Sequence, residues 1–179
     1  MTCIENILIS VEGSYVKAIL EGQKTVELRR RALGIGAGSL VWIYSKLPRG
    51  SVELVCETAK VVAAPPAQLW RMYRSRVAIA HADFQEYFRG TDKGHAIVFG
   101  RIWALEPAVG LNALRALFKA FHPPQFFKKL THDSEELMYF KSASKLQQLA
   151  RSESTSVRTA QTKTAGCRAL CHSCNERVS

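Results

Sequence analysis

The 179-residue sequence has no run of eighteen or more apolar residues, so a membrane-spanning helix is not expected. Its opening, Met1-Thr2-Cys3-Ile4-Glu5, has no basic segment leading into a hydrophobic core, so it does not read as a secretory signal. Cysteine is sparse and odd in number. The five residues include Cys3 and Cys56 isolated in apolar surroundings, which argues against a disulfide framework and for reduced thiols in a cytoplasm. Acidic residues are short relative to basic ones, 15 Asp and Glu against 25 Lys and Arg, for a net charge of +10. That imbalance favours polyanionic partners, nucleic acid before anionic membrane. No internal repeat is evident. The glycines at 34, 36 and 38 are followed by no Lys-Ser/Thr pair and lead into a strand, so they form a turn and not a phosphate loop.

What is present fits one ordinary globular domain, with 47% hydrophobic and 22% charged residues. Alternation over residues 6–11 predicts a first strand, and Ser14 is positioned to cap a helix carrying Tyr15, Val16, Ile19 and Leu20 on one face. Gly22 then stands just past the helix end, where a positive φ is needed. Strands are predicted over 25–29, 40–45, 51–62 and 95–105. Helices are predicted from Ala67, over 82–88 and over 111–121. Residues 134–149 read as a further helix whose face, Leu137, Phe140, Ser144 and Gln148, is weakly apolar. From Ala150 onward Ser, Thr, Arg and Gln dominate, the composition of a disordered tail. Strands and helices without βαβ alternation indicate an α+β fold.

The densest chemistry lies in Gly22-Gln23-Lys24-Thr25-Val26-Glu27-Leu28-Arg29, running into Arg30 and Arg31. On a strand, Thr25, Glu27, Arg29 and Arg31 share one face while Val26 and Leu28 take the other. Such a row is either a solvated ion-pair ladder or the floor of a site for a polar, anionic ligand. Lys24 precedes the strand, and the turn after Gly22 can bring it round to the same side as Glu27.

This Gly-x-Lys-x-x-Glu-x-Arg pattern after a short helix resembles the signature of the ASCH domain, a PUA-like family associated with RNA. The segments Phe84-Gln85-Glu86-Tyr87-Phe88-Arg89-Gly90, Gly94-His95-Ala96-Ile97 and Pro123-Pro124-Gln125-Phe126 extend the resemblance in the family's order. The resemblance implies a small β-barrel of about five to six strands with flanking helices over residues 4–130. A helical extension (131–149) and a basic tail (150–179) would follow. One branch resembles an amidohydrolase acting on acetylated cytidine, in which the motif lysine activates a threonine three residues later. Here Glu27 stands at that position, and Thr25, adjacent to Lys24, is a poor substitute nucleophile.

The resulting expectation is a cytoplasmic protein that binds RNA or a nucleotide-like ligand in a cationic cleft, with no cofactor and no membrane partner. Lys24, Glu27, Arg29, Arg31, Tyr44 and Lys46 are the expected ligand contacts, with Arg49 extending a phosphate track. Trp42, Tyr44, Trp70 and Tyr73 are the nearby aromatics, of which Tyr44 is the favoured base-stacking partner and Trp42 the favoured core residue. The alternative is a small hydrolase, a ribonuclease or modified-nucleoside amidohydrolase, using Lys24 and Glu27 and helped by His95 or His122. The Cys167-x-x-x-Cys171-His172-x-Cys174 cluster lacks the spacing of a structural zinc site, and no metal is expected.

Overall fold

The structure, a computed structural model, describes residues 4–144. Its elements in chain order are β1 (Asn6–Val11), α1 (Gly13–Leu20), β2 (Val26–Arg29), β3 (Leu40–Ser45), β4 (Ser51–Ala64), α2 (Pro66–Tyr73), α3 (His81–Tyr87), β5 (Gly94–Gly110), α4 (Leu111–Leu117), β6 (Lys128–Lys129) and α5 (Glu135–Ala143). The strands form one sheet in the order β2-β5-β4-β3-β1-β6. Only β1 and β3 run parallel; the other neighbours are antiparallel. The mixed sheet curls into a half-barrel, the α+β, PUA-like architecture that the sequence predicts.

Apolar layers hold it, and two of them frame the site. Inside the curl, Ile7 and Ile9 of β1, Val41 and Ile43 of β3, and Leu54 and Cys56 of β4 meet Val16 and Ile19 of α1. On the opposite face of β2, Val26 and Leu28 pack with Leu69 and Tyr73 of α2 and Phe84 and Phe88 of α3. The alternation in β2 therefore separates a helix-covered apolar face from the face bearing Glu27 and Arg29. The unbroken apolar run of β3 has the same logic in reverse, because both of its faces are covered.

Several boundaries differ from expectation for local reasons. α1 begins at Gly13 with Glu12 as its cap, not Ser14, because the N–H groups of Tyr15 and Val16 already donate to the Glu12 carbonyl (3.0 Å each). α4 ends at Leu117, and Phe121 is buried beyond it as an irregular segment. β5 runs on past Leu105 to Gly110, pairing Val109 with Val52 and Gly110 with Ser51. α5 belongs to the same compact unit as the sheet and is no appendage, since Phe140 lies fully buried against Trp42 with ring centroids 5.4 Å apart. The tail and its Cys/His cluster lie outside the described residues. Among the described residues, no helix is long and apolar enough to cross a membrane.

Cys56 is fully buried, and burial pushes its thiol well above the ordinary value, with the Glu27 charge adding to the rise. The thiolate is the reactive species, so native protein treated with iodoacetamide at mildly alkaline pH should leave Cys56 unmodified until denaturant is added. Peptide mapping that found Cys56 alkylated in the native state as fast as a free thiol would contradict this packing.

Candidate nucleic-acid interface

The site is built from the reversal that follows α1. Gly22 takes φ +75°, and its N–H donates to Ile19 O (3.0 Å), closing the helix. The Lys24 N–H then donates back to Ala18 O (2.9 Å), and Thr25 and Val26 both donate to Arg76 O (2.9 and 3.1 Å). This reversal turns the Lys24 side chain inward. Its ammonium donates to Val26 O (2.9 Å) and Val77 O (3.0 Å) and pairs with Glu27 Oε2 at 3.2 Å. An ammonium has three N–H donors, so Lys24 is fully committed to the protein. The Tyr15 ring adds a cation–π contact at 5.0 Å.

Glu27 holds a second cation on its other oxygen, with Arg29 Nη2 2.9 Å from Oε1. Lys24 is 4% exposed and Glu27 8%, so this is a buried triad and not a solvated ladder. Charge-assisted bonds of this kind are strong where water is scarce. Each Glu27 oxygen carries one cation and keeps a lone pair for a further donor. Arg29 Nε is buried and makes no hydrogen bond.

The triad floors a cavity of about 290 Å³ whose walls include Ser10, Glu12, Tyr15, Lys46, Ile79 and Tyr87. Burial is the main cause that raises the Tyr15 phenol, followed by the charges of Asp83, Glu27 and Glu12. The Tyr87 phenol is also raised, chiefly by burial, and its hydroxyl donates to Leu28 O at 3.3 Å. Both phenols stay protonated at neutral pH; Tyr15 can donate to a bound ligand, while Tyr87, its one O–H given to Leu28 O, can accept from one. At the rim Lys46 pairs with Glu12 (2.7 Å), both about half exposed.

The expected contacts do not all converge. Lys24, Glu27, Arg29 and Lys46 line this cavity. Tyr44 does not: it is 2% exposed, its ring 6.5 Å from that of Phe121, and it borders a neighbouring cavity of about 600 Å³ with Lys46 and Arg115. Its buried hydroxyl makes no hydrogen bond, and burial raises its pKa against a smaller opposing effect of Arg115. The ring has no open face for a base. Arg31 is exposed and lies over the Phe126 ring, at a third cavity. Arg49 pairs with Glu53. Trp42 is core, with its indole N–H 3.4 Å from Asn6 Oδ1, while Trp70 and Tyr73 pack in the layer beneath α2 and α3. His95 is the register partner of Arg29 on the neighbouring strand β5, with its pKa lowered by burial and by Lys93, and His122 is exposed. Neither histidine lines the triad cavity.

Sequence reasoning missed Tyr15 and Tyr87 as cavity walls. Both sit on the apolar faces of their helices, and periodicity does not distinguish a tyrosine that packs from one that also presents its hydroxyl.

No family model matches the sequence. The chain is 30% identical over 118 residues to an ASCH domain-containing ribonuclease of Zymomonas mobilis, an alignment covering 66% of this chain and 79% of that protein. Crystal structures of an ASCH protein from the same bacterium superpose closely. A serine-to-alanine variant gives a TM-score of 0.72 at 27% identity, covering 79% of this chain and 98% of the other. A tyrosine-to-phenylalanine variant gives 0.71 at 28% identity, covering 77% and 97%. With the half-barrel matching these crystal structures and a relative 30% identical matched over 79% of its length, the chain belongs to the ASCH domain family.

Proposed function

We propose that this ASCH domain binds single-stranded RNA or a nucleotide-like ligand, with one base or nucleoside seated over Glu27 and Arg29. The observation that carries the reading is the buried carboxylate at the floor of an open cavity, with each oxygen held by one cation and able to accept one more donor. A base amino or imino group, or a ribose hydroxyl, supplies such a donor. Arg29 and the rim cation Lys46 meet phosphate, Tyr15 donates from the wall, and the Tyr87 oxygen accepts. Lys24 acts as a positioning residue, because its three donors already hold Glu27 and two carbonyls. The net charge of +10 supports attraction to a polyanion.

The second reading is hydrolysis of RNA, favoured by the name of the Zymomonas relative, a ribonuclease. In it Glu27, oriented by Lys24, exchanges the proton and Arg29 steadies the developing charge on phosphorus. One experiment separates the two readings. Labelled single-stranded RNA is incubated with the wild type and with Glu27→Gln, and binding and product are both followed. Salt-sensitive binding with no product supports a binding module, and cleavage abolished in Glu27→Gln supports the nuclease. A wild type that fails to bind RNA even at low salt would sink both.

A further inference from the structure

Arg29 and Tyr87, which line the triad cavity, also line a larger neighbouring one of about 850 Å³. Its wall carries Arg30, Arg31 and Lys93 against a single acid, Asp92. It also carries two rings the fold leaves uncovered, Phe126 at 65% exposure and Phe127 at 36%. Arg30 is fixed, donating from Nε to Thr91 Oγ1 (2.9 Å) and from Nη2 to Arg89 O (3.1 Å). Arg31 is not so bound. Its contact among the described residues is the Phe126 ring, 5.7 Å from guanidinium carbon to ring centroid. An exposed aromatic ring steadied by a cation, within a cationic wall, is the arrangement that single-stranded nucleic acids use, base on ring and phosphate on guanidinium.

We propose that this cavity is a second nucleotide position for the same strand, with Phe126 as its base-stacking platform and Arg31 and Lys93 as its phosphate contacts. The proposal rests on the reading that the triad cavity takes RNA. Arg29 and Tyr87 form the saddle over which the chain passes from one position to the next. The excess of cations favours a polyanion over an apolar protein segment. Base stacking is sequence-tolerant, so the second position adds affinity and length dependence more than base choice.

The test compares two probes on the full chain: a ribonucleoside monophosphate, long enough for the first cavity alone, and a labelled single-stranded octaribonucleotide. Because Phe126 is exposed, Phe126→Ala should keep the native circular dichroism spectrum. It should bind the octamer roughly five- to a hundredfold more weakly than the wild type, while monophosphate affinity is unchanged and Phe126→Trp retains octamer binding. If Phe126→Ala holds the octamer as tightly as the wild type while Glu27→Gln weakens it, the second position is wrong and the cleft reading stands. If the wild type binds neither probe, both fall together. Loss of self-association in Phe126→Ala with unchanged octamer affinity would assign the ring to a protein contact and overturn the proposal.

Discussion

Replacing Glu27 by alanine is expected to destabilise the domain by about 3 kcal/mol, because it strips the carboxylate from a buried ammonium and a mostly buried guanidinium. Lys24 is 4% exposed and would keep only its two carbonyl acceptors, while Arg29 would lose the partner of its Nη2. Removing one member of a buried pair typically costs about 3–5 kcal/mol; the lower end applies here because the adjoining cavity admits water. For a chain of this size that is a fall of roughly 6–12 °C in melting temperature. Glu27→Gln keeps the shape and one acceptor oxygen and should lose less. A double variant, Lys24→Met with Glu27→Gln, should lose less than the sum of its single changes, since no buried ammonium is left uncompensated. Denaturant titration measures all of these. A Glu27→Ala loss below about 1 kcal/mol would mean a solvated ladder, the value typical of exposed pairs.

The second large effect is expected at the opposite side of the sheet. Phe140→Ala should cost about 3–5 kcal/mol, the range for emptying a buried aromatic site. Phe140 and Leu137 are both fully buried, and Phe140 is the ring that covers Trp42. α5 is well anchored for a short helix. Ser134 Oγ accepts from the Leu137 N–H at 3.3 Å, and Glu135 and Glu136 complement the positive end of the helix dipole. Lys128 of β6 pairs with Glu136 and ties the helix to the sheet edge. The cost is therefore felt by the whole fold, as an earlier denaturation midpoint in tryptophan fluorescence. A loss under about 1 kcal/mol would show that α5 sits loosely on the core.

The strand β2 was legible because its alternation answers to two different neighbours, helices on one face and the cavity on the other. Lys24 was legible for a different reason: Gly22 forces a reversal, and a reversal is what turns Lys24 toward Glu27. That Lys24 is saturated by Val26 O and Val77 O could not be read, because Val77 lies 53 residues away in sequence. Tyr44 failed as a stacking partner on the same ground. A strand-end tyrosine looks exposed until Phe121, brought in after α4, closes over it. β6 is two residues long and has no periodicity to detect. The face of α5 looked too polar because two buried side chains suffice when one of them meets a tryptophan. Arg31 shares β2's register in sequence but lies beyond its last paired residue, Arg29, and so reaches a different cavity.

The central claim is that RNA enters the cavity floored by Glu27 and Arg29, and a titration of isotopically labelled protein with a short single-stranded RNA tests it most directly. Backbone amide shifts at residues 10–12, 24–29 and 87 should move together, saturate with RNA, and weaken as salt is raised from about 50 to 200 mM. Saturating shifts confined to other surfaces, or none at low salt, would contradict it.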